Sequence, residues 1–529
     1  MEDINNSPPP LWIGIGASAG GLESITALCQ QLPSDANAIY IIAQHLSPIH
    51  NSMLSELIQR KSRLKVVSLR RSTLPQPNTI YVTPPQRDVI VRDGHLVLLK
   101  NSDNIGPKPS VNGLFASLAA EIKDRAIGVI LSGTGSDGSL GVKAIHEAGG
   151  VTIAESEQSA KHTGMPNSAR ETRCIDFSLS ASEIGAQIGA IVQQLEGGPS
   201  SAIADGEVDV WTKFFAVVYR ETGTNLKEYK RATLQRRIAR RMLATGLNTF
   251  TDYVNHLIEH AEEAKAILDE ILISVTSFLR DRAPFDVMSD RLTAMLVKRP
   301  IDRPIRIWSA GCATGEEAYS MAMLLAEALG GPERLCDRNI KIFATDIDEA
   351  ALTVARRGVY GETAVSELPE TFLRKYFIRS TDNKFEVIKP LRELILFATH
   401  NLIQDPPFQR IDVLVCRNLM IYFEPQLQER IYKTFHYSLN EEGLLFLGKS
   451  ESISTVSSLF STIDSRFKIF EKRHALVPRL ASPLLGKPVD KFRSTKTAKV
   501  VGEVDSFPYE LLVKQMGDCL LYTSDAADD

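Results

Sequence analysis

The chain has 529 residues, a formal net charge of −4, 43% hydrophobic and 23% charged residues. That length predicts about two to four domains with large buried cores, in the composition of ordinary globular protein. No run of about 18 apolar residues exists, so no membrane span is expected, and the charge argues neither for nor against nucleic acid as a global partner. The six cysteines are scattered without a C-x-x-C. They predict a reducing cytosol, a cytoplasmic protein and no metal site.

Residues 1–10 are acidic and Pro-rich and read as a disordered lead, not a signal peptide. From Leu11 a buried strand enters the tight turn Gly16-Ala17-Ser18-Ala19-Gly20-Gly21 and a helix around Leu22 to Leu32. A second buried strand, Ala38 to Ala43, ends in Gln44-His45. A helix at about Ser52 to Arg60 follows, then short strands punctuated by prolines and a polar loop at 100–110. Val111 to Ile122 reads as a helix. The buried strand Ile127 to Leu131 runs into SGTGSDG (132–138) and a helix to Ala148. Val151 to Ala154 is another strand and Leu179 to Leu195 a closing helix. Strands alternating with helices predict a parallel sheet covered on both faces.

Ser18, His45 and Asp137 stand at or just beyond strand tips, so one sheet edge would gather them. A serine hydroxyl becomes nucleophilic when an imidazole takes its proton, and the imidazole needs a carboxylate to orient it. Plainer roles exist for each. Ser18 could cap its helix, His45 could be a satisfied strand-end residue, and Asp137 could cap the helix after Gly138. The turn also fits G-x-G-x-x-G/A, although the second strand ends without an acid for a ribose.

Residues 196–207 are rich in Gly and Ser and read as a linker. Residues 208–285 are helical. There Leu234, Ile238 and Met242 form a buried stripe, beside Lys227, Lys230, Arg231, Arg236, Arg237, Arg240 and Arg241. That basic face reads as a solvated surface or as a contact for an acidic helical protein. Nucleic acid is disfavoured, because no stacking aromatics are interleaved.

Within 286–475 a strand (Arg306 to Ser309), a Gly-bearing turn, a helix (Glu316 to Leu329) and a strand (Ile340 to Thr345) make a βαβ unit. Asp346 at the second strand's tip is placed for a ribose. The turn is Gly-x-x-x-Gly, which together with that acid points to S-adenosylmethionine rather than a dinucleotide. Further strands are expected at Leu394 to Ala398, Asp412 to Cys416 and Gly443 to Gly448. The fold class is therefore α/β: two doubly wound domains, the second Rossmann-like, with an all-α segment between them.

The motifs IGASAGG, QHL and LSGTGSDG, with GMPNSA at 164–169, resemble the catalytic domain of the chemotaxis receptor methylesterase, CheB, over residues 11–195. The resemblance implies Ser18 as nucleophile, His45 as general base and Asp137 as its orienting acid. Ala19 and Thr134 depart from the Thr and Met usual there. CheB also carries a receiver domain, and only ten residues precede this module, so a different switching mechanism is expected.

YRETG, RRIARRM, VTSFLRD, SAGCATGEEAYS, ATDID, VCRNLMIYF and GLLFLGKSES are similar to the chemoreceptor glutamate methyltransferase, CheR, over residues 208–475. That similarity implies Thr276, Arg280, Glu317 and Asp346 at the cofactor, with Arg280 also near the reacting centre. Asn401 and Leu402 would lie near the adenine, Arg417 and Asn418 after the fourth strand, and Tyr422 facing the methyl group. Ser274 and Lys449 replace the family's Asn and His. The implied partner is the cytoplasmic helical region of a chemoreceptor-like protein, with neither nucleic acid nor membrane insertion. A scaffold with inactive sites and a nucleic-acid methyltransferase are the rival readings. Residues 476–518 read as a linker or the start of a further module. Residues 519–529 resemble a translated sequencing-library transposon adapter, so a longer natural protein is expected.

Overall fold

The computed structural model describes residues 9–45, 54–99, 107–196, 208–272, 276–380 and 384–474. The lead to residue 8, nearly all of the linker, part of the 100–110 loop, Ser274 and everything from 475 onward, including the suspected adapter tail, lie outside the described residues. The described residues all fall in one compact unit, Met1–Val477. No helix among them is long and apolar enough to cross a membrane.

The first module is built on β1 (Leu11–Ala17), β2 (Ala38–Gln44), β3 (Lys65–Ser68), β4 (Thr79–Val82), β7 (Ala126–Ile130), β8 (Val151–Glu155) and β9 (Phe177–Leu179). Between β4 and β7 lies an antiparallel hairpin, β5 (Val89–Arg92) and β6 (His95–Leu98). The sheet order is β3-β4-β2-β1-β7-β8-β9, and every pairing is parallel. All seven residues of β1 and of β2 are buried, as expected of strands covered on both faces. One face packs Ile13, Ile15 and Ile42 against the first and last helices. The other packs Trp12 and Ile41 against Val111, Phe115 and Leu118 of the Val111–Ile122 helix.

That last helix sits unusually close to β1. A Cβ on Gly16 would lie 2.4 Å from Val111 Cγ1, so only hydrogen at this position admits the helix. The closing helix begins at Ala181, not at Leu179, which instead ends β9. The reason is a capping box: Ser180 N donates to Glu183 Oε2 at 2.8 Å, and Glu183 N donates to Ser180 Oγ at 3.4 Å.

The helical segment contains Val208–Thr222, Arg231–Thr245, Phe250–Glu259 and Ala261–Ile271. Leu234, Ile238 and Met242 are fully buried, as their spacing predicts. Their cluster is continuous with Trp308, Phe423 and Phe435 of the next module. The Ala283–Lys298 helix packs with the other face of that module, through Phe285, Met288 and Leu292.

The second large sheet uses β10 (Ile305–Ala310), β11 (Ile340–Asp346), β15 (Ile395–Thr399), β16 (Ile411–Cys416), β17 (Leu439–Leu447), β18 (Phe460–Asp464) and β19 (Ile469–Lys472). Its order is β15-β11-β10-β16-β17-β19-β18. The first five are parallel and the last two antiparallel. A small sheet of β12 (Val359–Tyr360), β13 (Phe377–Arg379) and β14 (Phe385–Val387) is inserted before β15. Strand order reverses at β10, which opens a crevice beyond its carboxyl end.

Gly16→Ala is expected to lower the first module's unfolding midpoint, because the new methyl must push the Val111–Ile122 helix outward. Overpacking of this kind destabilises by about 1–3 kcal/mol, measurable by denaturant titration. An unchanged midpoint would show that the helix can yield at no loss.

Candidate active sites

At the carboxyl edge of the first sheet, the backbone brings three strand tips together. His45 N donates to Ala17 O at 3.0 Å, and Ser18 N donates to Ser132 O at 3.0 Å. These bonds tie the β2 tip and the loop after β7 to the turn that carries Ser18. His45 Nε2 lies 2.9 Å from Asp137 Oδ2, and both side chains are nearly buried. The Asp137 carboxylate accepts from Val111 N at 2.8 Å and from Asn112 N at 2.9 Å. A helix N-terminus thus holds it in place. Nδ1 is the ring nitrogen left to take a proton, since Nε2 faces the carboxylate.

Sequence reasoning missed the supports of this edge. Asn112 Oδ1 accepts from Gly138 N at 3.0 Å and Gly141 N at 2.9 Å, joining two helix starts. Ser132 is fully buried; its hydroxyl donates to Ala19 O and accepts from His162 N, both at 3.0 Å. Ser132 N donates to Glu155 Oε2 at 2.8 Å, and Glu155 is also buried. A carboxylate ending an otherwise uncharged strand, as Glu155 ends β8 (VTIAE), is the one sequence signal that marks this network.

The second crevice is a cavity beyond β10, β11 and β16. Thr276, Arg280, Glu317, Asp346, Asn401, Leu402, Arg417, Asn418 and Tyr422 all line it. Asp346 Oδ2 accepts from Ala313 N at 2.8 Å and Oδ1 from Asp348 N at 2.9 Å. Burial pushes its pKa up while these N–H donors pull it down. Glu317 accepts from Ser309 Oγ at 2.7 Å; burial pushes its carboxyl up to about 7, against the pull of Arg417. The Arg417 guanidinium lies 4.9 Å from the Phe285 and Phe446 ring centres and pairs with Asp281 at 3.3 Å.

The residues present fit a polar cofactor. Asn418 Oδ1, Arg417 Nε and His400 Nδ1 are buried without a hydrogen-bond partner, and their residues line the cavity. Buried polar atoms ordinarily find a partner, and a nucleoside-type ligand offers several. Among the described residues, no group of three or more His, Cys, Asp or Glu is placed to hold a metal ion.

Two further residues escaped the sequence reading. Glu451 is buried, and its Oε1 accepts from Leu419 N and Met420 N, both at 2.8 Å, which fixes the loop running to Tyr422. Tyr229 lines the cavity from the helical segment, and Lys230 N donates to Tyr422 O at 2.9 Å. Glu451 lies in GLLFLGKSES, but nothing in its spacing distinguishes it from a surface acid.

The basic helix corrects an expectation. Arg237 and Arg240 do not form a solvated or open face; they are 5% and 6% exposed, against the first module. Arg237 Nη1 lies 3.1 Å from His146 Nε2 and 2.9 Å from Glu270 Oε1. Arg240 lies 3.1 Å from His146 Nδ1 and 3.5 Å from Asp176 Oδ1, and donates to Gly150 O. Burial and both guanidiniums push the His146 pKa down to about 2, so the ring is neutral. A neutral ring accepts at one nitrogen only. The ring therefore accepts from Arg237 at Nε2 or from Arg240 at Nδ1, not from both.

Family models match three segments of the chain. "CheB methylesterase" matches residues 13–188, "CheR methyltransferase, all-alpha domain" 210–272, and "CheR methyltransferase, SAM binding domain" 274–469. Chemotaxis protein methyltransferase 2 of Pseudomonas aeruginosa is 35% identical over 46% of this chain and 87% of its own length. The chain belongs to the CheR methyltransferase family. It carries a CheB methylesterase domain ahead of the CheR domains and an S-adenosylmethionine-binding domain within them. The Escherichia coli chemotaxis protein methyltransferase is 34% identical over 46% of this chain and 85% of that protein. An uncharacterized 104.1 kDa protein of Rhodobacter capsulatus is 34% identical over 79% of this chain, which spans only 46% of that relative. Among solved structures, the Thermotoga maritima CheB methylesterase catalytic domain covers 35% of this chain and 100% of its own, at 27% identity and a TM-score of 0.33.

Arg240→Ala would leave Asp176 buried at the CheB–CheR contact without its guanidinium. Removing one partner of a buried pair costs about 3–5 kcal/mol. Chemical denaturation should read a loss of that order, and a loss under about 1 kcal/mol would show that water replaces the arginine freely.

Proposed function

We propose that the chain methylates glutamate carboxylates on the cytoplasmic helical region of a chemoreceptor-like protein and hydrolyses the methyl esters so formed. One observation carries the reading: nine residues selected from sequence motifs for one cofactor and one acceptor line a single cavity. The His45–Asp137 pair beside the Ser18 turn supports the opposed hydrolysis. The reading places the enzyme in the cytoplasm, acting on protein rather than nucleic acid.

S-adenosylmethionine, when bound, supplies a methyl group made electrophilic by its sulfonium. Asp346 and Glu317 would hold it, with Thr276, Asn401, Leu402, Arg417 and Asn418 around it. The acceptor glutamate is already ionised at neutral pH and needs no base. What the protein adds is position and exclusion of water. Arg280 would orient the carboxylate, and the Tyr422 hydroxyl would hydrogen-bond at the reacting edge. In the CheB module, Ser18 would attack the ester carbonyl while His45 takes its proton. Methanol leaves, and water cleaves the acyl-enzyme by the same route. An amide presents the same carbonyl, so glutamine deamidation belongs to the same proposal.

The test is methyl transfer from labelled S-adenosylmethionine to membranes of the source cell, by the natural chain and by Ser18→Ala. Base-labile, methanol-yielding label should accumulate more in Ser18→Ala. Equal label would remove the esterase half, and no label in either would remove the methyltransferase half.

Cofactor binding should also depend on pH. A cationic ligand end near Glu317 favours its ionised form, so affinity should rise as pH passes upward through about 7. For one group of that pKa, affinity falls about tenfold from pH 8 to pH 6. Calorimetry should find that slope in the natural chain and a flat profile in Glu317→Gln; equal slopes would show that Glu317 does not face the cofactor's charge.

A further inference from the structure

The CheB module reaches into the CheR cavity. Its Ser139–Glu147 helix ends at that cavity, and Glu147 lines it together with Thr276, Arg280, Glu317, Asp346 and Tyr422. Glu147 Oε2 lies 2.8 Å from Arg280 Nη2. The methyl-transfer reading asks for one thing at the Arg280 end of this cavity: a glutamate carboxylate. The chain already has one there.

We propose that Glu147 occupies the acceptor-carboxylate position of the methyltransferase in cis, which makes the CheB module a built-in competitor of the receptor glutamate. The inference rests on the methyltransferase reading and goes beyond it by assigning the resting occupant of the acceptor site.

Two observations support it. The first is chemical identity. The occupant is a glutamate, the residue type the reaction acts on, and its side chain is 35% exposed. Burial pushes its pKa up, Arg280 and Lys143 pull it down, and Asp281 pushes it up again. A partly desolvated carboxylate held by a guanidinium is the state in which an acceptor must be presented.

The second observation is that the helix end is clamped. His146, the neighbour of Glu147, lies between Arg237 and Arg240. Arg240 also reaches Gly150 O and Asp176 just beyond. A surface ion pair between two long side chains contributes little and would not by itself hold a module. Here the buried cluster holds the helix, and Glu147 follows from its place on it.

A receptor glutamate can take Arg280 only once the Glu147 side chain has left it, while the helix stays where the buried cluster holds it. If the paired form holds about four-fifths of the population, the apparent acceptor affinity is about fivefold weaker than the intrinsic one.

The experiment compares the full chain with Glu147→Gln, using membranes of the source cell as the acceptor probe. Binding is read without turnover, by co-sedimentation of the S-adenosylhomocysteine-loaded protein with the membranes. Transfer is read from labelled S-adenosylmethionine across membrane concentration. Glu147→Gln should bind at about fivefold lower membrane concentration and reach half-maximal transfer at a correspondingly lower one, with similar rates at saturation. Unchanged half-saturation in both readouts overturns the inference while leaving the methyltransferase reading in place. Absence of cofactor binding and of transfer in both proteins removes that reading and this one with it. Hydrolysis of a glutamate methyl ester through Ser18 reports whether the variant's CheB module is folded, and Glu147→Ala provides the same comparison should Gln disturb it.

Discussion

Two buried guanidiniums hold this molecule's arrangement together. Arg237 and Arg240 come from a helix of the CheR all-α domain, and the groups they meet, His146, Asp176 and the Gly150 carbonyl, come from the CheB module. Buried charges of this kind are tolerated only when paired and hydrogen-bonded. The guanidiniums are placed by a helix of the all-α domain and the groups they meet by the CheB module, so the cluster forms only with the two in one orientation. That orientation brings the end of a CheB helix to the mouth of the CheR cavity. Two chemistries that undo one another are thereby joined by contact as well as by chain.

Both sites solve the problem of a buried carboxylate in one way. Asp137 is held by two backbone N–H groups at a helix start, Asp346 by two from the turns around it, and Glu451 by three, from Gly448, Leu419 and Met420. Backbone donors of this type cannot swing away, so they fix a carboxylate without another charged side chain. Glu317 has only the Ser309 hydroxyl and a nearby arginine, and burial dominates its titration. That difference separates acids that serve as fixed structure from one whose charge responds to what enters the cavity.

Much of the fold was legible because strand-to-turn-to-helix transitions leave strong marks. LWIGIGA, IKIFATD and IDVLVC are mainly apolar runs that lead into Ser18, end in Asp346 and lead into Arg417, and each is a largely buried strand with that polar residue at a sheet edge. The cofactor cavity was legible for the same reason, since a parallel sheet delivers its strand tips to one side. The supports were not. Ser132, Asn112, Glu451 and Tyr229 act through backbone groups far away in sequence, and no local period encodes such pairings. Leu179 was misplaced because an apolar residue beside a helix fits either element until the Ser180–Glu183 cap decides the boundary.

The amino-acid sequence by itself determined the elements, the two sheets and the polar residues at their edges, because these follow from hydrophobic period and turn chemistry within a few residues. Only the tertiary structure decided what the basic helix faces and where Glu147 points. A run of arginines has the same local pattern whether it meets water, a receptor or another part of its own chain. The choice depends on whether His146, Asp176 and Glu270 arrive at the right distance, and that is set by packing between residues 30 to 94 positions apart.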